Sequence, residues 1–271
     1  LNITAVGLRL NAGTAVGATG NHVETTVGTV SARAANGGIY LRETDALIVG
    51  DVSVTISKVD SAAAVSTVTD ATQSDVMTTG GNGNVVIRST GGNITLNDGT
   101  AGGTTGLAVS ANGSGNVLIE AIRNDTDITA NTDVVSASGH ITVQAGQSVI
   151  FAANADIRTG TTGTIDVEAG TGSITMDATS LYTTGTGDIR MLAAQTITVG
   201  DVSTGGNASL TATAGSILDA DSAVGADDTN LNITAVGLRL NAGTAVGATG
   251  NHVETTVGTV SARAANGGIY L

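Results

Sequence analysis

Apolar and polar positions alternate with a period of two along most of this chain. The stretches GNITLND, GNVLIEA, GHITVQA, GTIDVEA and GSITMDA each set a Gly and a small polar residue ahead of an apolar–polar–apolar run. A period of two is the mark of a short strand with one buried face. No stretch shows 3.6-residue spacing with caps, and Thr, Val, Ile and Gly are poor helix formers. The pattern predicts an all-β protein.

The strand starts fall on a grid. Val117, Ile141, Ile165 and Ile189 are each twenty-four residues apart, and Ile174 and Ile197 follow eight or nine residues behind. A third short segment, ADIRTG or SLYTTG, completes each lap. Three short strands and three turns in about twenty-four residues make one triangular coil of a parallel β-solenoid, right-handed by the crossover rule. Inward positions should then stack like on like, with Ile141, Val143 and Ala145 over Ile165, Val167 and Ala169, and these over Ile189, Met191 and Ala193.

The grid loosens before Val117. Val54 lies twenty-four residues after Val30 and is read here as a lap start, but the steps from Val54 to Val85 and from Val85 to Val117 are 31 and 32. Loops 61–80 and 97–106 are therefore the expected excursions from the coil, the places where function would sit. Lap starts at Leu1, Val30, Val54, Val85, Val117, Ile141, Ile165, Ile189 and Leu210 give about nine coils, roughly 43 Å of shaft at the strand spacing.

Residues 231–271 repeat residues 1–41 without a substitution. Fold requirements alone tolerate conservative swaps and would let surface positions drift. Residues 1–230 thus read as one complete solenoid unit and 231–271 as the start of an identical one, continuous and without a linker. The expectation is a window on a longer array, whose end-to-end neighbours are further copies of the same repeat.

Composition narrows the interior. Apolar residues make up 41% of the chain, but there is one Phe, three Tyr and no Trp, which suits a thin core of small and branched side chains in layers. Proline is absent and Gly numbers 39, so the turns rest on Gly and Asn. Without cysteine there is no disulfide scaffold, thiolate metal site or thiol catalysis. The formal charge of −13 and the single lysine, Lys58, argue against nucleic acid as a partner. No uninterrupted apolar run reaches the length of a membrane span.

Candidate chemistry is sparse. Asp219, Asp221, Asp227 and Asp228 gather in SILDADSAVGADDTN and are the candidate Ca²⁺ ligands, the alternative being a solvated acidic loop. The stretch departs from an EF-hand loop at Ala223 and Asn230. GGNGNVVIR resembles the glycine-rich calcium nonapeptide, with Val85 in place of its ligand Asp. His22, His140 and His252 lack a sequence neighbour that would make them bases or ligands. Arg88, Arg123, Arg158 and Arg190 each follow an Ile and should point outward, near acids such as Glu120 and Asp188. Sequons of four kinds occur, NIT, NGS, NDT and NAS, which Asn turns before Thr strands also generate. No nucleophile triad order, nucleotide-binding loop or metalloprotease helix is present, and no catalytic residue is assigned.

Strands of the type GGNITLND, GNVLIEA and GDIRMLAAQTITVGDVSTGGNASLTATAGSILDAD, running end to end, resemble the β-solenoid shafts of filamentous-haemagglutinin-like giant secreted bacterial surface proteins. The resemblance covers the whole chain, and the coil here is longer than that family's usual one of around twenty residues. It implies a secreted, cell-surface, extracellular fibre or adhesin stalk, a structural filament without catalysis that contacts lateral neighbours or a host or neighbouring cell surface. The competing expectations are a glycan- or protein-binding adhesin module using loops 61–80 and 97–106, and a β-helical polysaccharide-degrading enzyme, which the single lysine disfavours.

Overall fold

The computed structural model describes residues 1–100, 106–221 and 230–271, and within them the protein is all β, with no helix. Every strand but two belongs to one continuous, wholly parallel sheet that winds into a β-solenoid. Each regular lap has three strands. On the first face lie Val85–Ser89, Val117–Ala121, Ile141–Ala145, Ile165–Ala169 and Ile189–Ala193, and on the second Ile94–Leu96, Ile128–Ala130, Val149–Phe151, Ile174–Met176 and Ile197–Val199. Leu107–Ala111, Asp133–Ser136, Ile157–Thr159, Leu181–Thr183 and Asp201–Ser203 form the third.

The expected register is observed. Ile141, Val143 and Ala145 pair with Ile165, Val167 and Ala169, and these with Ile189, Met191 and Ala193. Each of these side chains is buried, and each fully buried Val, Ile or Leu contributes on the order of 1.5–3 kcal/mol. The two bulkiest buried rings, Phe151 on the second face and Tyr182 on the third, meet edge to face at 5.1 Å and 78°.

The corners explain the Gly-plus-polar prelude to each first-face strand. A Cβ on Gly115, Gly139, Gly163 or Gly187 would fall 1.9–2.4 Å from the carbonyl oxygen of the glycine one lap below, so only glycine lets the laps close to strand spacing there. The carbonyls of this glycine column accept buried hydroxyls, Gly83 from Thr78 at 2.9 Å. Ser136 donates to Gly115, Thr159 to Gly139, Thr184 to Gly163 and Thr204 to Gly187, at 2.5–2.7 Å. The polar residue after each glycine caps the next lap: Asn84 accepts from the Asn116 N–H, Asn116 from that of His140, His140 from that of Thr164, and Asp188 from that of Asn207. Asn93, Asp127 and Ser148 make the same ladder at a second corner, and Asp133 and Asp156 at the third.

One lap start is corrected. Val54 does not begin a coil. Val52–Val59 and Val65–Gln73 form an antiparallel hairpin outside the solenoid sheet, with Val54 opposite Asp70 and Ile56 opposite Val68. The alternation that suggested a coil strand is real, but it belongs to a strand whose only ladder partner among the described residues is the other arm of the hairpin. The excursion begins earlier than the 61–80 read from the sequence, and the main path resumes at Val76–Thr78, which stacks on Ala32–Ala34. The 32-residue step from Val85 to Val117 is confirmed by their direct pairing, and of loop 97–106, residues 101–105 lie outside the described residues.

The two identical segments fold alike but sit differently. Ile3–Ala12 pairs with Val23–Ala34 in the same register as Ile233–Ala242 with its partner strand Thr255–Ala264, and Val16 bridges Ile39 as Val246 bridges Ile269. Their neighbours differ. Thr25 stands in the first-face column of Ile3, Glu43, Ser89 and Ala121, whereas its copy Thr255 continues the third-face column of Tyr182, Val202 and Ile233. Eight laps of the first-face column carry Ile3 to Ala212 through Thr25, Glu43, Ser89, Ala121, Ala145, Ala169 and Ala193. Only part of a ninth precedes Ile233, so the unit closes on a fractional number of turns.

The solenoid column, not the hairpin, should carry stability. Ile141→Ala is expected to cost about 2–5 kcal/mol in urea unfolding followed by circular dichroism, and Ile56→Ala in the exposed hairpin less than about 0.5 kcal/mol.

Candidate functional site

The outward positions of the strands form charged and polar rows. Arg88 pairs with Glu120 one lap on. Arg190 binds Asp166 at 2.7 Å and Glu168 at 2.5 Å, and Gln144 donates to Glu168 at 3.0 Å. Arg158 bridges Asp133 and Asp156, and Arg123 forks onto Asp125 within its own turn. All four arginines expected to face outward do so and are ion-paired; Glu120 is a partner as expected, while Asp188 instead caps Asn207. Such exposed pairs contribute little singly. They tie adjacent laps more than they build a site.

The remaining sequence candidates separate. Asp219 is buried and accepts from the Asp221 N–H at 2.9 Å and the Asn232 amide at 2.7 Å, while Asp221 accepts from Asn230 at 3.3 Å. Asp227 and Asp228 lie outside the described residues. No group of three or more His, Cys, Asp or Glu that could hold a metal occurs among the described residues. In GGNGNVVIR, Val85 and Ile87 are core residues of a first-face strand. His140 is a rung of the corner ladder, its Nδ1 2.8 Å from the Thr164 hydroxyl. His252 stacks on Tyr270 with 5.9 Å between centroids.

Two clefts are shallow and open. One, lined by Leu181, Asp201, Ser203, Asp221 and Thr234, holds Asp201, whose carboxyl is raised by burial and then by the charges of Asp221 and Asp156. The other is lined by Gly20, His22, Glu24, Arg42, Arg88 and Ile122. Burial, then the guanidiniums of Arg88 and Arg42, hold the His22 imidazole below its ordinary range, so it is neutral at physiological pH.

Two features go beyond the sequence reading, a buried acid and the hairpin form of the excursion expected at 61–80. The first is Glu43, fully buried in the column between Thr25 and Ser89. Its Oε2 accepts from Thr25 Oγ1 at 2.7 Å and the Val27 N–H at 3.2 Å, and its Oε1 from the Thr44 and Asp45 N–H groups at 2.8 and 3.4 Å. Alternation over Ile39, Leu41 and Glu43 was the available signal, since it puts the acid on the inward side. Desolvation outweighs these donors and raises the carboxyl above its ordinary value.

The second feature is the hairpin. Every residue from 53 to 72 is exposed, among them Val54, Ile56, Val59, Val65 and Val68. Thr55 and Thr69 hydroxyls meet across it at 2.9 Å, and Asp60 closes its turn by accepting from the Ala62 and Ala64 N–H groups. Comparisons with protein-family models, curated proteins and solved structures find no match. No helix among the described residues is long and apolar enough to cross a membrane.

Because the folded protein holds the Glu43 proton more tightly than the unfolded chain, this group adds stability below the ordinary carboxylate range. That contribution is withdrawn as pH rises through the elevated value. Lowering the pH from about 7 to about 4 should therefore raise the urea midpoint of the unaltered chain relative to Glu43→Gln; a midpoint difference independent of pH counts against this account.

Proposed function

We propose that this chain is a structural repeat segment of a long extracellular fibre or adhesin stalk, a self-stacking spacer without catalysis. The observation that carries the reading is the junction. The second copy seats on the first unit by the same parallel ladder that joins every other lap, Val202 to Ile233 and Asn207–Ala212 to Gly237–Ala242. Among the described residues the ladder passes directly from one copy to the next, and the second copy keeps its internal register. Growth by repetition therefore lengthens the shaft by one unit at a time. The placement outside the cell rests on the resemblance of the strand style to secreted stalks and on the acidic, cysteine-free composition.

A second reading is favoured by the exposed apolar hairpin, which would present loop 61–80, with loop 97–106, to glycan or protein as an adhesin module. The two readings differ in what a partner should touch: the spacer binds only its own kind.

The fractional closure has a geometric consequence. The columns that carry residues 3–12 in the first copy are exchanged for others in the second, so the corner from which the hairpin leaves one unit lies over the first face of the unit before it. Hairpins of successive units project from opposite sides.

A chain of two or three whole units is expected to lengthen by about 40 Å per unit in small-angle X-ray scattering. Gold attached through Ala62→Cys should alternate sides in electron micrographs. Compact particles, or a length that does not grow with unit number, would overturn the spacer reading.

A further inference from the structure

The identical segments show the same residues in two settings, and the difference falls at the root of the hairpin. The chain leaves the third lap at Gly50, beside Thr29 of the second lap, and places Val52 against Gly7 of the first, where a Cβ would lie 3.3 Å from Val52 Cγ1. Gln73, opposite Val52, donates from Nε2 to the Leu10 carbonyl at 2.8 Å. The hairpin root therefore steps down the shaft toward its N-terminal end, and from 53 to 72 the hairpin stands exposed. Around the second copy's Gly237, the equivalent of Gly7, a shallow groove lined by Asn207, Ser209, Arg239, Thr259 and Val260 stands bare.

The pairing shifts register between Val52 and Val54; beyond the shift Val54, Ile56 and Lys58 follow one another on one side of the hairpin, with Asp70, Val68 and Ser66 opposite them on the other arm. Val54, Ile56 and Val68 are 38%, 54% and 41% exposed. This row thus starts two residues beyond the seated Val52, with its apolar side chains uncovered. The second copy shows what lies beneath the first lap when a unit precedes it: below Arg239, the equivalent of Arg9, the outward column descends through Ser209, Arg190, Asp166 and Thr142.

We propose that the hairpin is a clasp between units, lying along the first face of the preceding copy of the repeat. At about 3.3 Å per residue, the six steps from Val52 to Lys58 cover about 20 Å, or roughly four laps at 4.8 Å. That brings the chain's single lysine to the laps of Asp166 and Thr142. There Arg190 alone is shared by Asp166 and Glu168, which leaves one carboxylate's charge in excess. The occupant of the bare groove around Gly237 is, by the same contact that seats Val52 on Gly7, the root of the second copy's own hairpin. The clasp rests on the spacer reading, because it needs units stacked as one shaft.

The single lysine makes the test direct. Two tandem proteins of two units each, carrying Lys58→Arg in one unit or the other, are labelled with an amine-reactive succinimidyl ester and read by peptide mass. The second unit's Lys58 should label roughly tenfold more slowly than the first unit's, which has no unit before it and should match the 271-residue chain. Ile56→Asp in the second unit should restore the fast rate, and circular dichroism should show the shaft intact. Scattering on the same tandems separates the two ideas. A length that grows by one unit with both lysines labelling equally overturns the clasp alone, and a length that does not grow overturns the spacer reading and the clasp with it.

Discussion

Everything in this molecule depends on each lap lying in register on the one beneath at strand spacing. Parallel pairing supplies the backbone hydrogen bonds, but it does so only while every lap keeps its inward residues over inward residues, since a slip of one position would turn the whole column outside in. Ile141 over Ile165 over Ile189 is the apolar part of that constraint. The corners are the polar part. Where three strands turn, the ladder would break, and the breaks are closed by a glycine that admits the neighbouring carbonyl, a buried Ser or Thr that donates to it, and an Asn, Asp, His or Ser that accepts from the lap above.

The surface follows from the same spacing. Outward side chains one lap apart are close enough to pair, so the acidic rows and the few arginines resolve into lap-to-lap ties such as Arg190 with Asp166 and Glu168. Charge is used along the shaft, and the side chains that would otherwise look like candidate chemistry are occupied as rungs. His140 is the clearest case: a residue type associated with catalysis serves here as a hydrogen-bond acceptor in a corner. Glu43 is the exception that points inward, held by four donors and still raised by its burial.

The hairpin breaks the economy of the shaft. It leaves the third lap between the strands Leu47–Val49 and Val76–Thr78, pairs arm to arm, and exposes valines and an isoleucine that a spacer has no need to show. As a clasp, it would add side contact to a junction otherwise held edge to edge, and an identical hairpin in every unit would strengthen every junction alike. Exposed strand edges invite promiscuous pairing. A lateral arm that recognises only the preceding copy would favour the correct partner at each joint.

The alternation of apolar residues, the glycine spacing and the verbatim repeat determined the all-β class, the three-strand lap, the stacking partners from Val117 to Ala193 and the presence of excursions. These are local or strictly periodic properties, and a period survives in the letters. Tertiary structure alone decided the rest. Val54–Ile56 alternates as a coil strand does, and only its pairing with Val68–Asp70 shows that it left the coil, because alternation reports a strand and not its partner. The letters of 1–41 and 231–271 are the same, yet their residues stand in different columns, because the face a strand occupies depends on how much chain lies in the laps between. That sum over turns and excursions is a property of the wound chain, and no single stretch of sequence contains it.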